Sequence, residues 1–391
     1  MAASWVNVGC SADTDSRIAA AGAARAALRA DDPKLIVVFF SLTHDPAEVL
    51  AGVRSVADAV PLMGCPTGGE IVGDWAGDGS VVVMALGGPG IAVQTAAIAG
   101  FGPDSDALRD VGAQVVAPLA DLEGGEHRLV LLLTDGQGGN QQDLLRGAYG
   151  ALGAGVPLVG GCGATISLGS TITAPLLHSD QLLWGNSVVA ASIACDNPFG
   201  IGVRHGWERT GETVEVTSSV RNRVLQLDNR PALDHYLERL DAPAACWTDE
   251  GAFQRFSLRH PLGIRRPSGE EMRVVAWPDY VERSISSAAD VPEDSVAWLM
   301  RGDPDSLLAA TDQACEEAIA ALGDRPLAGL LVFDCIGRRQ VFAPEGTSDV
   351  TRMAKYAGTA PLAGFYSHGE IARKRGAVGF HNQALVVLAL S

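Results

Sequence analysis

Cations are scarce in this chain. It carries 29 Lys and Arg against 46 Asp and Glu in 391 residues, a formal net charge of −17. An acidic surface repels phosphate backbones and anionic lipid, so nucleic acid and membrane are excluded as first-choice partners. No apolar run approaches the roughly 20 residues that span a bilayer. The start, MAASWVNVGCSADTDSR, lacks the basic-then-apolar order of a secretory leader. Cysteine is sparse and unpatterned: seven residues, an odd number, with no C-x-x-C pair. That is the usage of a reduced, cytoplasmic protein, not of a disulfide frame or a zinc ribbon. G-x-x-x-x-G-K-[ST], G-x-S-x-G and H-E-x-x-H are absent, and no G-x-G-x-x-G follows the first apolar run. The sequence therefore offers no signature for a P-loop, a serine-hydrolase elbow or a zinc protease.

What remains is globular, with 47% hydrophobic and 19% charged residues. The length suggests about two or three domains of roughly 100–200 residues each. Three short apolar runs read as buried strands: 35–40 (LIVVFF), 129–133 (LVLLL) and 330–333 (LLVF). Each ends at a polar residue (Ser41, Thr134, Asp334) and leads into a helical segment. The clearest helix starts at Asp45-Pro46, an N-cap followed by proline, with Val49, Leu50, Val53, Val56 and Val60 at helical spacing. After each helix comes x-Pro-Leu-x-Gly, at 60–64, 156–160 and 360–364. A glycine-rich loop and a further apolar strand follow, at 81–86, 188–193 and 385–390. The same order thus recurs over 34–86, 128–193 and 327–390.

Between the second and third copies, residues 200–325 read differently: β-hairpins, a short helix after Pro231, further strands, and a helix from Asp303 to Gly323. The expected fold is mixed α/β (α+β). Two lobes are built from repeated strand–helix–strand–loop–strand units with mixed sheets, plus a β-rich insertion. The expected division is 1–200 and 201–391. Copies one and two would build the first lobe, copy three and the insertion the second, with the loops after the PLxG elements facing a shared cleft.

The chemistry concentrates in those loops. VPLMGCPTGGEIV (60–72) and APLAGFYSHGEIA (360–372) share six of thirteen positions. The first offers Cys65, Thr67, Gly68, Gly69 and Glu70; the second offers Phe365, Tyr366, Ser367, His368, Gly369 and Glu370. An aromatic wall, hydroxyls, an imidazole and a carboxylate make a ligand-pocket set. GFHNQ adds His381 and Asn382, and GGCGATIS adds Cys162. Further glycine-rich turns such as TDGQGGNQQD (134–143) can cradle an anion at a helix start. The structural alternative makes the glutamates turn caps and His381 a hairpin tie. A thiol enzyme would use Cys65, Cys162 or Cys335 with His368 or His381. No close His/Cys spacing suggests a metal.

These segments resemble FIST-domain proteins, bacterial sensory proteins with FIST N and FIST C regions. VFFSLTHDPAEVLAGV, PLMGCPTGGEI and PLVGGCGAT carry the N-terminal likeness. RPALDHYLERL, PLGI, VPEDSVAWLM, GFYSHGEIA and FHNQALVVLAL carry the C-terminal one. The resemblance implies a cytoplasmic small-molecule sensor in signal transduction, with an amino acid as a ligand class. A haem-binding nitric-oxide sensor, ligated by His368 or His381, is the alternative it implies, and an enzyme of the thiol or Glu/His type stands third. It also implies an output partner of the kinase or cyclase type. Here that partner would be a separate protein, because the two regions occupy the chain. For an amino acid, Glu70 or Glu370 would meet the ammonium and loop amides or Arg373 the carboxylate.

Overall fold

The computed structural model describes residues 4–136, 139–153, 155–168, 171–266, 269–373 and 379–391. Of the TDGQGGNQQD turn, positions 137 and 138 lie outside the described residues. The fold is mixed α/β, as the patterning implies. The repeat is longer than the sequence showed, because each copy begins with an extra strand and, directly or after an insertion, an extra helix. Unit 1 runs β1 (Trp5–Ser11), α1 (Ser16–Ala27), β2 (Pro33–Ser41), α2 (Pro46–Arg54), β3 (Leu62–Thr67), β4 (Glu70–Val72), β5 (Trp75–Gly77) and β6 (Val81–Gly87). Unit 2 runs β7 (Ala92–Ala99), α3 (Ser105–Val116), β8 (His127–Thr134), α4 (Gln141–Leu152) and β9 (Leu158–Cys162). It continues through β10 (Ile166–Leu168), β11 (Thr171–Thr173), β12 (Leu176–His178), β13 (Gln181–Leu183) and β14 (Ser187–Cys195).

Unit 3 opens with β15 (Gly200–Arg204) and is then interrupted. The insertion holds β16 (Glu208–Val220), β17 (Arg223–Leu227), β18 (Arg230–Pro231), α5 (Ala232–Arg239), α6 (Glu250–Ser257) and β19 (Leu262–Arg266). It ends with β20 (Gly269–Arg273), β21 (Val275–Asp279), β22 (Ser284–Ser287) and β23 (Ser295–Arg301). Unit 3 resumes with α7 (Pro304–Ala320), β24 (Gly329–Cys335), α8 (Ile336–Phe342), α9 (Val350–Ala357), β25 (Leu362–Ser367), β26 (Glu370–Arg373), β27 (Phe380–His381) and β28 (Leu385–Leu390). The insertion therefore sits inside the third copy, not ahead of it. The reason is pairing: β15 lies against β28 (Ile201 opposite Leu388) as β1 lies against β6 (Val6 opposite Leu86).

Three six-stranded sheets share one order. They read β1-β6-β2-β3-β12-β13, β7-β14-β8-β9-β26-β27 and β15-β28-β24-β25-β4-β5. In each, the last two strands come from another unit. Unit 2 lends a hairpin to unit 1, unit 3 lends one to unit 2, and unit 1 lends one to unit 3. This cyclic exchange closes the three copies into one body, so the expected grouping of copies one and two into a lobe of their own does not occur. Hydrogen-bonded sheets join residues on both sides of position 200.

The exchange explains the apolar runs. β2, β8 and β24 are covered on both faces, which demands continuous apolar sequence. Leu35, Val37 and Phe39 point inward and meet Leu129, Leu131, Leu133, Leu331 and Phe333 in one axial core. Phe365 packs there too, 4.7 Å from Phe39 and 5.6 Å from Phe333 between ring centres. Ile36, Val38 and Phe40 point outward under α1 and α2. Each fully buried side chain of this kind contributes about 1.5–3 kcal/mol.

The PLxG letters also have a cause. The proline carbonyl accepts from the start of the central strand: Ile36 N to Pro61 O at 2.9 Å, Val130 N to Pro157 O at 3.0 Å, Leu330 N to Pro361 O at 2.8 Å. The glycine passes over the neighbouring strand. A Cβ on Gly64, Gly160 or Gly364 would stand 2.5, 1.8 or 2.1 Å from the carbonyl oxygen of Val38, Leu132 or Val332. No other residue fits that approach.

The insertion has its own sheet, in the order β20-β19-β23-β16-β17-β22-β21 with β18 on β17, and its own core around Tyr236 and Phe253. Among the described residues no helix is long and apolar enough to cross a membrane.

Candidate functional site

The ends of β3, β9 and β25 meet in a ring of main-chain hydrogen bonds. Gly68 N donates to Tyr366 O (2.9 Å), Ala164 N to Pro66 O (2.8 Å) and His368 N to Cys162 O (3.1 Å). Two return bonds run from Tyr366 N to Gly69 O and from Cys162 N to Gly369 O, both 2.8 Å. The third return bond has no donor, because Pro66 lacks an N–H. Gly68, Ala164 and His368 thus occupy equivalent places, and only the third has a large polar side chain.

The paired glutamates lie beneath this ring. Glu70 and Glu370 are fully buried, so neither faces a shared cleft. Glu70 accepts from the Thr67 hydroxyl, and from Ser80 N (3.1 Å) and Ser80 Oγ (2.9 Å). Glu370 accepts from Ser367 Oγ (2.7 Å) and Ala384 N (3.0 Å). Both therefore clamp their own turn to the following strand. Burial, against hydrogen bonds that lower it, pushes the Glu370 carboxyl up to about 8, and burial raises Glu70 as well. Gly69 (φ +126°) and Gly369 (φ +158°) supply the turn before each glutamate, where a side chain would be strained.

His368 does open onto a cleft. It stands between the ring and the insertion, in a chamber of about 600 Å³. Units 2 and 3 contribute Thr165, Cys335, Gln340, Asn382 and Gln383 to its wall; the insertion contributes Asn222, Trp277 and Ser287. A smaller chamber of about 260 Å³ shares His368 and Asn222 and adds Arg221 and Asp290. The position fits the general rule that ligands of α/β sheets lie beyond the carboxyl ends of the central strands. His368 is exposed, and the partial desolvation of its imidazole in the cleft lowers its pKa from the usual value.

Two acceptors behind this wall are unpaired. Asn382 and Gln383 are 3% and 0% exposed, and among the described residues Asn382 Oδ1 and Gln383 Oε1 have no hydrogen-bond partner. Gln383 is fixed from its other end, Nε2 donating to Leu258 O at 2.9 Å. A buried acceptor without a donor costs about 1–3 kcal/mol, so a ligand N–H or O–H placed there recovers that cost.

The other residues singled out from sequence take up other roles. Cys65 and Phe365 pack in the axial core. Thr67 and Ser367 hold the glutamates. Cys162 lies against Thr134 Oγ1 at 3.2 Å, and Arg339 lies over the Tyr366 ring at 5.0 Å. His381 does tie a hairpin, its Nε2 lying 2.9 Å from Ala372 O. Arg373 stacks on Tyr149, 3.9 Å from the ring centre, rather than reaching the cleft. Missed in the sequence were Gln340, Arg221 and the whole insertion wall. FHNQ does carry Gln383 beside Asn382.

The thiols are poor nucleophiles. Burial drives Cys65 well above its usual value and Cys162 up to about 12. Burial and the nearby Glu370 do the same to Cys335, whose thiol hydrogen-bonds that carboxyl. A thiol held protonated by burial is a weak nucleophile. Among the described residues no three His, Cys, Asp or Glu side chains gather as a metal site. For haem, His381 is spent on Ala372, which leaves His368 as a single axial candidate.

Two family models match the sequence: the FIST N domain over residues 34–230 and the FIST C domain over residues 232–373. Their junction falls within the insertion, in β18 just before α5. No curated protein matches the chain.

Proposed function

The chain belongs to the FIST family, with both of its domains present, and on that premise we propose that it senses one small ligand in the cleft at His368. FIST domains are a family of small-ligand sensory domains. The observation that carries the assignment to this cleft is the pair of buried acceptors without a partner among the described residues, Asn382 Oδ1 and Gln383 Oε1, on residues that line it. The proposed ligand class is the amino acid, free or in amide linkage. Its N–H groups would meet those acceptors and a carboxylate would meet an arginine at the cleft's end.

The ring supports one site rather than three. At the first equivalent position Arg339 covers the loop, Nη1 donating to Gly68 O at 2.6 Å and pairing with Asp78. Only the third position has both a polar side chain and a domain facing it. In this reading ligand closure of the insertion onto the three-unit body is the signal. A separate kinase- or cyclase-type protein in the cytoplasm receives it.

The test is thermal shift and calorimetry on the full chain with amino acids, their amides and short peptides at millimolar concentration. A ligand at 100 times its Kd adds about 2.7 kcal/mol of stability. His368→Ala and Asn382→Ala remove that gain. If no member stabilises the protein, the reading is overturned.

A further inference from the structure

We propose that the ligand of this cleft is a short peptide, its neutral main chain crossing the chamber at His368 and its carboxylate end lying at Arg255. The inference rests on the sensor reading above and names its ligand class. Among the described residues the 600 Å³ chamber has no Asp, Glu, Lys or Arg on its wall. Its polar groups are mostly amides: Asn222, Gln340, Asn382 and Gln383. A free amino acid is a zwitterion. Both its charges would lose water there and meet no counter-charge. A peptide unit is neutral and brings one donor and one acceptor per residue, which amide side chains match.

Charge is placed at the two ends instead. On one side the 260 Å³ chamber reaches Arg221 and Asp290. On the other, a 380 Å³ chamber shares Leu258, Trp277 and Gln340 with the central one and reaches Arg255. Among the described residues that third chamber has no acidic residue on its wall, so it is the place for a carboxylate. Among the described residues Arg255 makes no ion pair. The connecting wall is a strand edge. β21 lies at the end of its sheet, so among the described residues its outer main-chain edge pairs with no further strand, although Pro278 within it has no N–H to donate. Ala276 and Trp277 of this strand line both chambers, and Trp277 is 50% exposed. An extended peptide adds to such an edge by main-chain hydrogen bonds.

Calorimetry on the full chain compares a randomised tripeptide pool, the same pool amidated at its C-terminus, and the twenty free amino acids. Tryptophan emission reports occupancy beside Trp277. The expected result is peptide binding at least tenfold tighter than any free amino acid. C-terminal amidation and Arg255→Gln should each cost roughly tenfold, as the loss of one charge-assisted hydrogen bond does. Gln340→Ala, at a surface-accessible amide, lowers peptide affinity alone. Free amino acids binding as tightly as peptides would overturn the peptide and leave the sensor reading standing. Binding by neither class overturns both.

Discussion

Glu70 and Glu370 close equivalent turns by equivalent bonds, yet the turn of Glu370 opens onto a cleft while Arg339 covers that of Glu70. At the first turn the ring position is Gly68, and a Cβ there would already press on Tyr366 O at 2.9 Å and on Ile336. Arg339 seals the outside. At the third turn the same position is His368, facing the insertion. The ring uses main-chain N–H and C=O groups, so it constrains backbone and leaves the side chain at that position free to differ. Repetition kept the residues whose atoms hold the turn and released the one that points outward.

The shared letters are the place to break this equivalence first. Gly64→Ala and Gly364→Ala drive a methyl into a carbonyl oxygen, and each should lose about 3 kcal/mol or more in urea denaturation. A loss below about 1 kcal/mol at one of them would show that the two units are not held alike. Next come the glutamates. Glu70→Ala and Glu370→Ala each strand buried donors and should cost about 2 kcal/mol.

pH sharpens the second pair. The folded Glu370 carboxyl lies at about 8 against an ordinary 4.5, so folding favours its protonated form. Its contribution is full below pH 4.5 and is lost as pH rises through about 8. Within that window stability falls by up to about 1.4 kcal/mol per pH unit. Glu370→Gln should flatten this part of the stability-against-pH curve, and an unchanged slope would refute the assignment. The smallest effect on folding belongs to the residue that differs. His368→Gly, which copies the first turn, should shift stability by no more than about 0.5 kcal/mol while weakening ligand binding roughly tenfold. A large folding loss would make His368 a structural residue.

Much of the fold was legible for a physical reason. Strands buried on both faces must be continuously apolar, so LIVVFF, LVLLL and LLVF stood out. The leading strands did not. β7 (AVQTAAIA) is only partly buried along most of its length, and its small residues blur the pattern. The helix after Asp45 was plain because its capping is local: Asp45 accepts from Ala47 N and Glu48 N. Of the site, His368 and Asn382 were readable as polar residues after a glycine turn, while Trp277 and Arg255 sit over 80 residues upstream of the PLxG loop they face.

The sequence alone determined the repeated unit, its central strands, its PLxG crossings and the doubled glutamate turn. Those features are local, and each leaves a trace in residue type: apolar runs, a proline at a strand start, a glycine where backbones touch. Only the tertiary structure decided which unit's hairpin completes which sheet, and that His368, of the three equivalent ring positions, lines the cleft. Strand exchange is written in main-chain hydrogen bonds, which every residue type offers except proline. Pro66, where the ring lacks one bond, is the single position at which that arrangement reaches back into the sequence.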